Sequence, residues 1–209
     1  EAIRARHAVR NYTAKPLSPE IIDELSEEIE QCNRQGQLHI QLVTENEDAF
    51  KTFIPLFGRF KNVKNYIALA AKKQGDFYVK CGYCGARLMV KAQQAGLNSC
   101  WVTNTYNAKK CPVTLAPDEE LVGVIAIGYG TTDGTQHKSK SMERLCKPCS
   151  DKWFLDGMNA AVLAPTGLNR QDFFIEANGN TVSIRTKDNH PMSQINTGTV
   201  SYTHLTLPT

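Results

Sequence analysis

The segment from Phe77 to Ala95 constrains the fold more than any other part of this chain. Its apolar residues recur with the period of an α-helix and cover most of the helix circumference, and Gly96 follows the pattern. A helix that is apolar on nearly all sides is typical of a buried position. The pattern therefore predicts a helix that is central to the domain or lies in an interface.

Shorter segments on both sides alternate between helix and strand patterns. Ser18-Pro19 is a typical helix start, and Gly36 ends the apolar face that follows it. Asn178-Gly179 predicts a β-hairpin between two short apolar runs. The other predicted elements are strands over Leu38–Val43, Tyr66–Ala71, Ser99–Val102, Val122–Ile127, Phe173–Ile175 and Thr181–Ile184, a short helix and loop over Phe50–Phe60, and a helix over Trp153–Leu163. This mixture predicts an α+β fold.

Composition excludes several classes of protein. Of 209 residues, 41% are hydrophobic, which is enough to form a core and excludes wholesale disorder. The net charge of +3 is too even for a general polyanion binder, and no apolar run approaches the roughly 20 residues that span a bilayer. Seven cysteines without a secretory leader predict reduced thiols and a cytoplasmic location.

Two basic segments carry side chains that could bind an anion. Arg6, His7 and Arg10 lie close to the N-terminus, and in an extended backbone Arg6 and Arg10 share one side. Lys138 and Lys140 form a second pair two residues apart. Two guanidinium groups that converge can hold a phosphate by forked hydrogen bonds. On spacing alone, both segments are also compatible with a solvated tail and an ordinary polar loop.

A third segment, Ala164–Gln171, carries neutral polar groups. Thr166, Asn169 and Gln171 place hydroxyl and amide groups next to Gly167, where a ligand can approach the backbone. Such donors and acceptors suit the edge of a heteroaromatic ring. The alternative is a capped turn before the hairpin.

Taken together, these segments resemble the FMN-dependent nitroreductase family, in particular the branch in which two related halves share one chain. The single pieces are weak, but their order and spacing over most of residues 3–195 are fairly specific. The matching segments are Arg6–Tyr12, Lys15–Leu17, Gly82–Leu97, Ser99–Val102, Ile127–Gly130, Lys138–Lys140 and Trp153–Gln171.

The resemblance implies a nitroreductase-like fold, with a central mixed or antiparallel sheet, helices packed around it and a pseudo-dimer within one chain. It also implies contacts of the N-terminal basic residues with FMN, although Ala8 stands where the family usually has Ser. The implied cofactor-binding residues are Arg6, His7, Arg10, Thr103, Asn104, Lys138, Lys140, Pro165, Thr166, Asn169 and Gln171.

The activity that the resemblance implies is hydride transfer from NADH or NADPH, through flavin N5, to a nitroaromatic, a quinone or a similar small oxidant. The flavin carries this chemistry, so no catalytic side chain is expected. The expected partner is the small oxidant, with neither nucleic acid nor membrane. A monomer with an internal pseudo-dimer and a homodimer both remain open.

Two pairs of cysteines offer an alternative from another class. Cys81 and Cys84 form one CxxC pair and Cys146 and Cys149 another, and four thiolates could hold zinc in a structural or interaction protein. Because the pairs are far apart in sequence and the first lies in a predicted helix, we expect them to lie apart in space. A flavin-binding protein without turnover is a further alternative.

The segment Val200–Thr209 reads like a translated sequencing adapter. On this interpretation, residues 1–199 are the nitroreductase-like domain, with two related halves of about 1–145 and 146–199, and the native C-terminus is missing. We therefore expect Val200–Thr209 to pack against nothing.

Overall fold

A computed structural model describes residues 1–51 and 60–206 of the protein. The helices are α1 (Ala2–Ala5), α2 (Pro19–Gly36), α3 (Phe77–Gln94), α4 (Lys152–Ala161) and α5 (Pro191–Leu205), and the strands are β1 (Gln41–Val43), β2 (Asn65–Lys72), β3 (Asn98–Val102), β4 (Glu119–Gly128), β5 (Phe173–Asn178) and β6 (Thr181–Thr186). Most of the predicted element over Phe50–Phe60 lies outside the described residues. Within the described ranges, no helix is long and apolar enough to cross a membrane.

The first four strands form an antiparallel sheet in the order β1-β2-β4-β3. The two central strands pair along their whole length, from Asn65 opposite Ile127 to Lys72 opposite Glu119. In β2, every residue except the last is buried, because the sheet is covered on both faces. This confirms the predicted α+β fold and resolves its sheet as antiparallel.

Each face of the sheet has its own apolar core. On one face, Ile67 and Ile125 pack with Leu25 of α2 and Leu88 of α3. On the other face, Tyr66 and Val124 pack with the chain around Val9 and Tyr12. The helix α3 also contacts α5 on its other side, so the prediction of a central helix is confirmed.

The first predicted strand is shorter than expected. We predicted Leu38–Val43, but only Gln41–Val43 is strand. The side chain of Asn33 in α2 accepts a hydrogen bond from the Ile40 N–H at 2.7 Å and donates one to the Ile40 carbonyl at 2.9 Å. The start of the segment is thus held by the end of α2 rather than by strand pairing alone.

The second half of the chain builds a separate layer. Helix α4, the β5-β6 hairpin and α5 enclose a third core that includes Phe154, Met158 and Ile175. This layer docks on α3 where α5 crosses it, and the crossing depends on Gly82 and Gly198. A Cβ at Gly198 would collide with the Val79 carbonyl oxygen, and one at Gly82 with the Ile195 carbonyl oxygen.

The C-terminal segment corrects one prediction. Residues 200–205 continue α5, and Val200, Thr203 and His204 are buried, so the expectation that Val200–Thr209 packs against nothing is wrong for its described part. Thr203 can be buried because its hydroxyl donates to the Thr199 carbonyl within the helix, at 3.0 Å. The adapter origin of the segment, and the division into halves at about residue 145, stay predictions.

Candidate functional site

The N-terminal arm, residues 6–13, runs along the outer edge of β3. Ala8 bridges to Ser99 in parallel, and the Val9 N–H donates to the Ser99 carbonyl at 3.1 Å. The Tyr12 hydroxyl anchors the arm to the central sheet, since it lies 2.7 Å from the Val9 carbonyl oxygen and 3.2 Å from that of Ala126. These contacts fix the backbone that carries Arg6, His7 and Arg10.

Arg6 is the most unusual residue of this arm. Its side chain is only 6% exposed, yet its Nη1 has no hydrogen-bond partner among the described residues. Burial lowers the pKa of the Arg6 guanidinium. A buried cation that lacks full pairing is costly, so its position favours an anionic ligand beside it.

Arg6 and Arg10 both lie near Cys100 of β3. Burial raises the pKa of the Cys100 thiol, while the positive charges of Arg10 and Arg6 act against this rise. Both positive charges are therefore felt at the middle of β3, and the convergence of the two guanidinium groups on one ligand stays a prediction. Arg10 is exposed, so one cation is buried and the other faces solvent.

The loop after β4 covers the N-terminal arm. The Thr131 N–H donates to the Asn11 carbonyl at 3.0 Å. Gly134 has φ +75°, and a Cβ there would lie 2.9 Å from the Cβ of His7 and 3.1 Å from the Ala8 carbonyl oxygen. This loop then continues into the lysine segment, residues 137–140, so the arm and the lysines are joined by a short stretch of chain.

The lysine segment is bonded to the amide loop, residues 166–172. The Asn169 Nδ2 and the Gln171 Nε2 donate to the Lys138 carbonyl at 2.9 and 2.8 Å. The Lys140 N–H donates to the Gln171 Oε1 at 2.8 Å, and the Lys140 Nζ donates to the Gln171 carbonyl at 3.1 Å. The Gln171 N–H completes the loop by donating to the Thr166 Oγ1 at 3.2 Å.

The amide loop has an uncommon backbone. Leu168, Asn169 and Gln171 have φ values of 53°, 55° and 48°, in the left-handed region. Such conformations cost about 1–3 kcal/mol each where the side chain is not glycine, and they persist only where their surroundings enforce them. The hydrogen bonds to the lysine segment supply that enforcement.

The remaining predicted residues lie in different surroundings. Thr103 and Asn104 form a bend directly after β3, where Asn104 is exposed. Pro165 contacts α5, since its carbonyl accepts from the Thr199 hydroxyl at 2.9 Å. The described contacts thus join Lys138, Lys140, Thr166, Asn169 and Gln171 directly, and join His7 to them through the loop at Gly134. They include no hydrogen bond between this group and Thr103, Asn104 or the two arginines.

Sequence reasoning missed Ser99 in this site. Its hydroxyl is buried and, like the Arg6 Nη1, has no hydrogen-bond partner among the described residues. The available signal was a small polar residue at the start of a predicted buried strand. Because that pattern is also common in ordinary strands, only the packing of the arm against β3 reveals it.

The cysteine pairs do not share a site in this structure. Cys81 and Cys84 lie in α3, and the Cys84 thiol contacts the Cys32 carbonyl at 4.0 Å. Cys146 bridges to Ile175 beside the β5-β6 hairpin. Across residues 1–51 and 60–206, no group of three or more His, Cys, Asp or Glu residues could hold a metal ion.

Comparison with known families gives a match over nearly the whole chain. Residues 1–208 match the model of the family described as "Putative TM nitroreductase". The chain belongs to this family. A comparison with curated proteins gave no match.

Solved structures support the same nitroreductase fold. A protein described as a putative nitroreductase from Thermotoga maritima is 20% identical, with a TM-score of 0.65, and the match covers 97% of this chain and 80% of that one. One from Desulfovibrio desulfuricans, solved in complex with FMN, is 17% identical with a TM-score of 0.59, over 72% of this chain and 96% of that one. An FMN-dependent nitroreductase from Clostridium difficile is 17% identical with a TM-score of 0.52, over 66% of this chain and 90% of that one.

The residues of this TM nitroreductase family member fit an FMN group. The phosphate of FMN is an anion, and the buried Arg6 Nη1 and Ser99 hydroxyl are donors without partners at the β3 edge. Arg10 adds an exposed cation on the same N-terminal arm. Cations and neutral donors are the groups that bind phosphate.

Proposed function

We propose that the protein is an FMN-dependent oxidoreductase that transfers a hydride from NADH or NADPH to a nitroaromatic, a quinone or a similar small oxidant. The single observation that carries the proposal is the buried Arg6 guanidinium, whose Nη1 has no hydrogen-bond partner among the described residues, on the arm that packs against β3. Family membership supports it, and so do the related structures described as FMN-bound or FMN-dependent.

The residues would divide the work of binding by their chemistry. Arg6 and Arg10 would neutralise the phosphate, because both cations belong to the arm that packs along β3. His7 and the exposed Lys138 would add donors, since the loop at Gly134 joins the arm to the lysine segment. When bound, FMN would supply the two-electron redox chemistry, accepting the hydride and passing it to the oxidant.

The amide loop would hold the lysine segment in place at the site and limit the access of water. It comes from the second half of the chain but is bonded to the lysine segment, which follows β4 of the first half. This supports a site that is completed within one chain, as an internal pseudo-dimer would provide. Sedimentation of the FMN-loaded protein distinguishes this monomer from a homodimer.

Titration with FMN tests the cofactor. We expect the purified protein to quench FMN fluorescence on binding, and we expect Arg6→Met to weaken binding by about 1.5–3 kcal/mol, the range for a hydrogen bond to a charged group. Arg6→Lys keeps the charge and should recover part of the affinity. Arg34→Met is the matched control, since Arg34 is exposed and its ion pair among the described residues is with Glu30 of its own helix.

Turnover is tested separately. The FMN-loaded protein, mixed anaerobically with NADH or NADPH, should lose the visible absorption of oxidised flavin and recover it when a quinone or a nitroaromatic is added. A protein that binds FMN but is not reduced by either nucleotide would be a flavin-binding protein without this activity. A protein that takes up no FMN would overturn the proposal as a whole.

A further inference from the structure

Two buried cysteines from different helices meet where α2 packs against α3. Cys32 lies in α2 and Cys84 in α3, and both belong to the apolar core on this face of the sheet. The Cys84 Sγ lies 4.0 Å from the Cys32 carbonyl oxygen, and the two thiols are close enough to form a hydrogen bond with each other. Thiols in contact need little movement to form a disulfide, in which the two Cβ atoms lie about 3.5–4.5 Å apart.

The Arg87 guanidinium fixes the two helices against each other beside this pair. It forms an ion pair with Glu28 of α2. Its other nitrogens donate to the Gln31 Oε1 at 2.8 Å and to the Gln35 Oε1 at 2.7 Å. Because Arg87 lies one turn after Cys84 in α3, these bonds hold α2 and α3 in register next to the thiols.

The two thiols differ in exposure and in chemistry. Cys84 is 6% exposed, whereas Cys32 is fully buried. The hydrogen bond between them lowers the pKa of the Cys84 thiol, and the same bond, followed by burial, raises the pKa of the Cys32 thiol. The nearby positive charge of Arg87 favours the thiolate form of each sulfur. Cys84 is therefore the cysteine that ionises more readily and that a small oxidant reaches first.

The sequence pairs Cys84 with a different cysteine. Cys81 precedes it by one turn of α3 as the other member of a CxxC motif. The described contacts include no hydrogen bond between the thiols of Cys81 and Cys84, whereas the thiol of Cys32 is in contact with Cys84. The fold thus brings together two cysteines that are distant in the sequence.

We propose that Cys32 and Cys84 form a redox-active thiol pair, which hydroperoxides oxidise to a disulfide that links α2 to α3. The inference goes beyond the proposed function and does not depend on FMN binding. In the structure, Cys84 is placed to be attacked first by the oxidant, and Cys32 is placed to complete the disulfide.

The chemistry of the proposed reaction is balanced. The Cys84 thiolate attacks the terminal oxygen of the hydroperoxide, the O–O bond breaks, and the departing alkoxide takes up a proton to become an alcohol. Cys84 is then a sulfenic acid. The Cys32 thiol attacks the Cys84 sulfur, the S–O bond breaks and water leaves. Two thiols lose two electrons in total, and the hydroperoxide is reduced to the alcohol and water.

Peptide mapping after oxidation tests the pair. The reduced protein is treated with hydrogen peroxide, alkylated under denaturing conditions and digested with trypsin, which places Cys32 and Cys84 on the peptides 11–34 and 81–87. We expect these peptides to be joined by a disulfide that dithiothreitol cleaves. Cys32→Ala and Cys84→Ala should each abolish the link, and Cys81→Ala, at a buried position of the same helix, should keep it. A link that survives in Cys84→Ala or disappears in Cys81→Ala would overturn the proposal.

Dimedone, which traps a sulfenic acid, tests the order of attack. In Cys32→Ala, the attacking thiol has lost its partner, so peroxide and dimedone should label Cys84. In Cys84→Ala, Cys32 should stay unlabelled. Labelling of Cys32 in Cys84→Ala, with none of Cys84 in Cys32→Ala, would show that the assigned order is wrong.

The rate of disulfide formation tests the part played by Arg87. Arg87→Met should slow it several-fold, because this substitution removes the positive charge and the bonds that hold the helices in register. Arg87→Lys should recover part of the rate, and Arg34→Met, at an exposed position of α2, should leave it unchanged. An equal rate in Arg87→Met and wild type would contradict this part.

Thermal unfolding tests whether the native fold accommodates the link. The disulfide closes a long loop of chain, so the oxidised wild type should melt about 5 °C or more above the reduced protein. Peroxide treatment should give no such rise in Cys84→Ala. A linked protein that melts below the reduced one would show that the native fold holds the two sulfurs apart, and the proposal would be wrong.

Discussion

The N-terminal arm and the amide loop both carry polar side chains into the candidate site, but they differ in whether those side chains have hydrogen-bond partners. In the arm, the Arg6 Nη1 is buried and has no partner among the described residues, and the neighbouring Ser99 hydroxyl is in the same state. In the amide loop, the equally buried Gln171 uses its side-chain oxygen and nitrogen in hydrogen bonds of 2.8 Å within the chain.

This difference separates binding residues from positioning residues. A buried polar group that is fully bonded within the protein stabilises the fold, whereas one left without partners is costly. The arm therefore keeps polar groups without partners that a ligand can bind, whereas the side chains of the amide loop form hydrogen bonds within the chain. From sequence alone, both segments are predicted to bind the ligand, and nothing in the sequence separates these two roles.

The largest expected effect on stability comes from disturbing the close crossing of α3 and α5, which joins the second layer to the rest of the protein. Gly198→Ala would place a Cβ against the Val79 carbonyl oxygen and the Tyr83 backbone nitrogen, and these backbone atoms cannot move aside without shifting α3 or α5. We expect the free energy of unfolding to fall by about 3 kcal/mol, at the upper end for overpacking. Urea denaturation measures this, with Gln94→Ala at an exposed position of α3 as the control. An alanine that leaves stability unchanged would show that the helices do not cross this closely.

A smaller loss of stability is expected from a substitution in the hydrogen-bonded amide loop. Gln171→Ala removes the partner of the Lys140 N–H and of the Lys138 carbonyl, so the ligand-free protein should lose about 2 kcal/mol of stability. Thermal unfolding without FMN is the measurement. Gln136→Ala, at an exposed position of the loop before the lysine segment, should have almost no effect. Equal effects of the two substitutions would contradict a structural role for Gln171.

For the unpartnered Arg6 we expect a change of stability in the opposite direction. Arg6→Met replaces a buried, incompletely paired cation by an apolar side chain of similar length, so the ligand-free protein should gain about 1 kcal/mol of stability. The same variant should lose FMN affinity. Thermal unfolding with and without FMN measures both, and Arg34→Met should change neither. A variant that is less stable without FMN would mean that Arg6 supports the fold itself.

Much of the fold follows from local sequence patterns, but the difference in hydrogen bonding between the N-terminal arm and the amide loop does not. The bounds of α2 and α3 and the hairpin at Asn178-Gly179 agree with the helix face, the glycine stops and the turn signal in the sequence. The sequence does not predict helix α5, because the segment from Val200 resembles a translated adapter and because the burial of the helix depends on hydroxyl bonds within it and on the close crossing at Gly198. The sequence also does not predict the burial of Arg6, because this burial arises only when the arm packs on β3.

The smallest expected effect extends the comparison to a charged group far along the sheet. The Glu119 side chain is 8% exposed and, like that of Gln171, it is hydrogen-bonded within the chain: Oε2 accepts from the Ala116 N–H at 2.8 Å and lies 2.9 Å from the His39 Nδ1. These bonds, first that from Ala116 and then that from His39, lower the pKa of the Glu119 carboxyl. A lowered folded-state pKa stabilises the protein above the unfolded value of about 4.3, and this contribution is lost as the pH falls through the folded value.

Glu119→Gln should therefore destabilise the protein by less than about 1 kcal/mol near pH 7, because one partner is solvent-exposed and screening weakens the pair. The gap between wild type and variant should close as the pH falls below the unfolded value of about 4.3, because the wild-type carboxyl becomes protonated as the pH passes through its lower folded-state pKa. Urea denaturation across this pH range measures the gap, and Glu27→Gln at an exposed position of α2 should show none. A gap that widens on acidification would mean that the folded state raises the pKa of Glu119. Folding would then disfavour the charged form of this carboxyl, as burial disfavours the charged form of the Arg6 guanidinium.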